Sequence, residues 1–218
     1  PKRCRRAKRW WAPLSGARIK EMLTLGLPTS GILLFESGAF TAAAIMMGWI
    51  GVNALAGHQI ALNLASISYM MATGLSTAGM IRVSNQIGKG NLKGMREAGM
   101  VVFGMVIAFM FVCAVLFFAL RFFLPTLYID DPEVVALSAS LLIIAGFFQL
   151  SDGVQVVGLG VLRGLEDVKV PTLVTLMAYW VLGLPLGYVM AFEFGWGEKG
   201  VWIGLLTGLT ITAVMLFY

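Results

Sequence analysis

Two carboxylates stand where a carboxylate is costly. Glu36 lies in "LLFESGAF", residues 33–40, within a run from Leu27 to Ile50 that holds no other charge. Asp152 lies in "FFQLSDGVQVVGLGVLRG", the only other acid deep in an apolar stretch. An ionisable group near the centre of a bilayer costs roughly 2.5 to well over 10 kcal/mol unless it is paired, protonated or wetted. Glu36 is nine residues from Leu27, where its apolar run begins, and Asp152 is ten from Leu162, where its own run ends. At 1.5 Å per helical residue these are depths of about 14 and about 15 Å. Two acids at one depth on different helices can face one cavity. Such a pair in low dielectric does not stay doubly ionised unaided, so it holds a proton or a cation at neutral pH. The rival reading makes each a protonated acid bonded to a neighbouring helix.

Further polar residues recur at helical spacing. Gln59, Asn63, Ser66, Met70, Thr73 and Thr77 step by 4, 3, 4, 3 and 4, which is one uncharged face of a helix, flanked by Tyr69. In a membrane such a face either lines water or bonds to other helices. A shorter face holds Gln149, Asp152 and Gln155, with Phe148 one turn before the aspartate. The lone histidine, His58, reads as a packing or capping residue, with proton movement as the alternative. Enzyme chemistry finds little support. "GLSTA" at 74–78 lacks the G-x-S-x-G elbow of serine hydrolases. A Glu–Asp pair alone does not make an intramembrane protease, and no metal-ligand cluster, phosphate loop or cofactor motif is read.

The elements that hold these residues follow from composition. Of 218 residues 59% are hydrophobic and 12% charged, against about a quarter charged in soluble domains, and the mean hydropathy is +0.86. Six apolar runs, near 27–49, 54–81, 98–124, 134–162, 171–192 and 200–218, each reach the roughly 20 residues that a crossing helix needs. The fourth is longer than needed and has to tilt, kink or project. Pro28, Pro171 and Pro185 lie at or inside the runs, which are rich in glycine, as in helices that pack closely and bend. No internal repeat is read. The Lys and Arg of alternate connections divide 14 to 2, which puts both ends on the cytoplasmic side of a multi-pass protein of the plasma (inner) membrane. The net charge of +5 then reflects topology, with binding to anionic lipid as the lesser reading of the tail and no nucleic-acid role. Cys4 and Cys113 are not expected to bridge. The chain starts at Pro1, shows no signal peptide and ends inside an apolar run, so it reads as a piece of a longer protein.

Four stretches carry a resemblance: "LGLPTSGILLFESGAF", "LAGHQIALNLASISYMMATGLSTAGMIRVSNQIGKGN", "FFQLSDGVQVVGLGVLRG" and "YWVLGLPLGY". The chain resembles the multidrug and toxic compound extrusion (MATE) transporters, specifically their NorM-like branch, over nearly everything from Lys20 onward. The resemblance implies an all-α membrane protein, six transmembrane helices in one bundle, forming the C-terminal lobe of a twelve-helix fold. Residues 1–24 are then a basic cytoplasmic linker or tail and 25–218 the bundle. It implies export of bulky cationic drugs, driven by Na+ or H+ as coupling ion, with the N-terminal six-helix half of the same protein and the lipid bilayer as partners, and neither enzymatic activity nor a cofactor. Glu36 and Asp152 fall on the family's intramembrane acids and are the expected ligands of Na+ if Na+ is the ion. Tyr69 falls on an aromatic position that faces the cation in some relatives. Gln59 falls on a substrate-contact position, and Asn63, Phe148, Gln149 and Gln155 are assigned to the substrate cleft with it. Where some relatives carry a tyrosine four residues before the aspartate, this chain has Phe148, which keeps the ring and lacks the hydroxyl ligand. The alternative function is a non-transporting six-span subunit or channel-like scaffold.

Overall fold

A chain this apolar meets hydrocarbon, where backbone N–H and C=O groups have to pair inside the protein, and a helix does this within one segment. The computed structural model describes residues 15–217, and the regular structure in them is helical throughout. The basic stretch 1–14, with Cys4, lies outside the described residues. The elements run α1 (Gly16–Ile50), α2 (Val52–Ile87), α3 (Leu92–Leu120), a short α4 (Phe123–Thr126) and α5 (Pro132–Gly164). Then α6 (Lys169–Leu176), a π-helical segment (Met177–Gly183), α7 (Leu184–Tyr188) and a second π-helical segment (Val189–Glu193) follow end to end, and α8 (Gly197–Phe217) comes last. Among the described residues six stretches are long and apolar enough to cross a membrane, the fifth being Lys169–Glu193. The expected all-α, six-helix architecture is therefore present. The helices overrun the apolar windows: α1 begins at Gly16, α2 continues to Ile87 and α5 to Gly164. Hydropathy marks the part that meets hydrocarbon, whereas the backbone ladder continues until a cap or turn ends it.

Those stops are local. Asp131 accepts from the amides of Glu133 (2.9 Å) and Val134 (3.4 Å), and Pro132 follows as the first residue of α5, where its missing N–H costs nothing. The Asn91 side chain likewise accepts from Gly94 N at the start of α3. Only Gly51 separates α1 from α2. In the fifth span Pro185 has no N–H to give, and the π-helical turn ahead of it moves the ladder to i→i−5, with Leu184 N–H donating to the Tyr179 carbonyl.

The bundle is built around α5. Gly146 packs on Phe118, Gly153 on Met110 and Gly158 on Leu216, so α3 and α8 approach its backbone. Against α2 the hydrogen bonds Gln149 Nε2 to Ser68 Oγ, Ser76 Oγ to the Val156 carbonyl and Ser84 Oγ to the Gly164 carbonyl keep a sequence offset of 81, 80 and 80. A constant offset means that α2 and α5 run parallel in fixed register. The fifth span meets α8 through two glycine series, Gly183 and Gly187 against Gly204 and Gly208, with Gly200 of the same series against the Ala191 backbone. Spacings of four place each series on one face, and small residues let backbones touch where lipid supplies no hydrophobic drive. A Cβ on Gly204 would stand 2.5 Å from the Gly187 amide nitrogen and 2.6 Å from the Gly183 carbonyl oxygen. Gly204→Ala is therefore expected to lower stability by about 1–3 kcal/mol, as overpacking does. Gly104→Ala, whose Cβ meets nothing within 4 Å, should leave the thermal unfolding of the detergent-solubilised protein nearly unchanged. Equal melting temperatures for both variants would refute the packing account.

Candidate functional site

Glu36 is carried by α1, Tyr69 by α2 and Asp152 by α5, and all three line one cavity of about 380 Å³. Ser66, Phe40 and Phe148 complete the part of the wall that concerns them. The carboxylates are nearly closed off, at 6% exposed for Glu36 and 4% for Asp152, and their charges act on each other and on Tyr69. The aromatic wall is itself fixed, with Phe40 edge-on to Phe148 at 5.9 Å between ring centres. The cavity therefore combines two acids, one phenol ring and an apolar lining. A larger cavity of about 470 Å³ between the facing ends of α2 and α3 has Arg82 and Glu97 in its wall but no second acid.

Behind the cavity runs a chain of hydrogen bonds. Gln155 Nε2 donates to Glu36 Oε1 at 3.1 Å, and the Tyr179 hydroxyl donates to Gln155 Oε1 at 3.1 Å. Trp180, the next residue, donates from Nε1 to the Phe35 carbonyl at 3.0 Å. Gln149 donates to Ser68 Oγ, which in turn donates to the Ala65 carbonyl at 2.8 Å.

The residues expected in the cleft separate into groups. Phe148 is on the cavity wall. Gln149 and Gln155 are fully buried between helices, and their bonds are made inside the bundle. Gln59 and Asn63 sit on the exposed face of α2 together with Ser66, Met70, Thr73 and Thr77. On that face the Ser66, Thr73 and Thr77 hydroxyls donate to their own helix, and Asn63 Oδ1 accepts from the Tyr128 hydroxyl at 2.8 Å. His58 is fully buried and its Nδ1 accepts from Trp202 Nε1 at 3.0 Å, the packing role read for it.

Two residues escaped the sequence reading. Tyr179 is one. The other is Arg163: it falls just past the apolar run near 134–162, but α5 runs on through it, and its charge acts on Glu36 and on Tyr69. Its Nε is buried without a hydrogen-bond partner among the described residues. The spacing held a signal, since eleven residues from Asp152 to Arg163 is close to three full turns.

Residues 28–189 match the MatE family. A "Probable multidrug resistance protein NorM" of Agrobacterium fabrum is 42% identical over 213 residues, which is 95% of this chain and 46% of that protein. The protein of the same description from Pseudomonas aeruginosa is 42% identical over 207 residues, 91% of this chain and 42% of its own length. The chain thus spans somewhat under half the length of these relatives. Among solved structures, the eukaryotic MATE transporter AtDTX14 superposes with a TM-score of 0.86 at 25% identity, over 94% of this chain and 47% of that one. A MATE protein in the straight conformation superposes with a TM-score of 0.87 at 18% identity, a likeness of fold. The fold, the matched region and the identity to NorM proteins agree: the chain belongs to the MatE family, in its NorM-like branch.

Proposed function

We propose that the chain is the C-terminal, cation-binding half of a cation-coupled multidrug exporter, with Na+ or H+ as the coupling ion and bulky cationic drugs as cargo. The observation that carries this reading is the placement of Glu36 and Asp152, from two helices, on one cavity with the Tyr69 ring. Two carboxylates can ligate a single monovalent cation or share one proton, either of which leaves one net negative charge on the pair, and oxygen ligands suit a hard ion. A ring face at the same cavity adds an electrostatic contact for a cation. The partner is a further six-helix half, in keeping with relatives about twice as long. Orientation follows from charge: Lys20, Arg82, Lys89, Lys93, Arg96, Arg163 and Lys169 belong to one end of the bundle, Arg121 and Lys199 to the other. By the positive-inside rule the first end faces the cytoplasm, in the inner (plasma) membrane.

The mechanism is competition between ion and drug. Open to the outside, the ionised pair of acids favours the coupling cation. Occupation lowers the negative charge that holds a cationic drug and alters the bonding of α1 to α5 through Gln155. The drug leaves outward and the emptied protein returns. Each ligand moves this equilibrium only through its different affinity for the two states.

In the complete transporter, Glu36→Gln is expected to lower the rate of ethidium efflux by at least about tenfold, or about 1.4 kcal/mol, at unchanged membrane expression. Asp152→Asn is expected to do the same. Because both acids serve one site, the double variant should lose little beyond either single one. Additive losses would assign them separate roles, and near-normal efflux in Glu36→Gln would remove it from the mechanism.

Tyr69 contributes a ring face in this reading. Tyr69→Ala is therefore expected to weaken cation-driven efflux by a factor of about five, the order of a modest cation–π contact, while Tyr69→Phe stays close to wild type. Equal damage by Phe and Ala would make the phenol oxygen the contact instead.

A further inference from the structure

A fully buried tyrosine in a membrane bundle has a hydroxyl that needs a partner. Tyr179 is 0% exposed, and among the described residues its hydroxyl reaches across to α5, to Gln155 Oε1. We propose that Tyr179 is a positioning residue for the coupling site: by occupying the Gln155 carbonyl it holds the amide so that the N–H group, and not the oxygen, is presented to Glu36. This rests on reading Glu36 as the coupling carboxylate.

The chemistry of the amide carries the argument. A glutamine side chain offers a donor at one end and an acceptor at the other. Turned over while Glu36 is ionised, Gln155 would put its oxygen against a carboxylate oxygen, two acceptors without a proton between them. The Tyr179 O–H fixes the sense by giving its proton to Oε1, which leaves Nε2 directed at Glu36 Oε1, 3.1 Å away. Phenylalanine at 179 would keep the ring and its packing against Phe40 (6.3 Å between centres) but remove that instruction. Gln155 is itself 0% exposed, so no solvent substitutes for the lost partner.

The support behind Tyr179 is rigid. It sits in the π-helical segment Met177–Gly183, which ends at Gly183 against the α8 backbone. Trp180, beside it, holds the Phe35 carbonyl on α1. Two consecutive side chains of one widened turn thus secure the backbone just before Glu36 and, through Gln155, its carboxylate. The other charged groups that reach this set are Asp152 and Arg163 on α5, and the neutral Tyr69 phenol on α2 stands among them.

The test uses the complete transporter in proteoliposomes, with efflux of ethidium measured against the concentration of whichever ion, Na+ or H+, drives the wild type. Four forms are compared: wild type, Tyr179→Phe, Gln155→Met and the double variant. The half-saturating ion concentration is expected to shift about fivefold in Tyr179→Phe, the order of one neutral hydrogen bond. Gln155→Met should shift it by a similar factor, and adding Tyr179→Phe to Gln155→Met should shift it no further. A packing defect would instead lower the maximal rate and leave half-saturation where it was. The proposal is overturned by an unchanged half-saturation, by shifts that add in the double variant, or by failure of Tyr179→Phe to assemble, which would make the hydroxyl structural. A wild type without ion-dependent efflux, or a fully active Glu36→Gln, would overturn the parent reading and this step with it, whereas an unchanged half-saturation in Tyr179→Phe beside an inactive Glu36→Gln would overturn this step alone.

Discussion

A carboxylate within hydrocarbon has to be answered by something, and much of this bundle is arranged around two such groups. Water would solvate Glu36 and Asp152 at little cost; a lipid environment charges several kcal/mol for each. Both are under one tenth exposed: Glu36 is answered by an amide donor from Gln155 and the charge of Arg163, and Asp152 shares with it a cavity that Tyr69 also lines. Satisfying these acids brings α1, α2, α5 and the fifth span to one place. The glycines that let helices close on α5 and α8 serve the same end, since a donor 1 Å too far leaves the charge unanswered.

The same constraint explains what could be read in advance. A charge in an apolar run is conspicuous whatever it touches, so Glu36 and Asp152 were legible as a pair, and their common depth followed from counting residues. Six spans were legible because hydrocarbon imposes length and composition on any helix that crosses it. The polar stripe of α2 was legible as a face. Its surroundings were not, because an exposed polar face and one bonded to other helices have the same spacing.

What escaped depends on partners distant in sequence. Gln149, Asp152 and Gln155 looked like one face at steps of three. Each step turns the helix about 60° short of a full circle, so the two glutamines point about 120° apart. One meets Ser68 and the other meets Glu36 and Tyr179. Tyr179 lay in a motif that was read for resemblance alone, and its direction depends on a π-helical turn that the residue pattern does not announce. Arg163 was placed past the end of a span because hydropathy stops before the helix does.

The single residue between α1 and α2 has a mechanical meaning. Gly51 ties the ends of the two helices together, with its N–H donating to the Met47 carbonyl and its carbonyl accepting from Leu55 N. They cannot part there, so relative motion of α1 is rotation about that end. Glu36 lies fifteen residues from the pivot, a lever arm of about 22 Å. A swing of about 10° would carry the carboxylate about 4 Å along its arc, farther than any hydrogen bond stretches. Small angular changes in α1 are thereby converted into the making or breaking of one contact, the geometry of a latch.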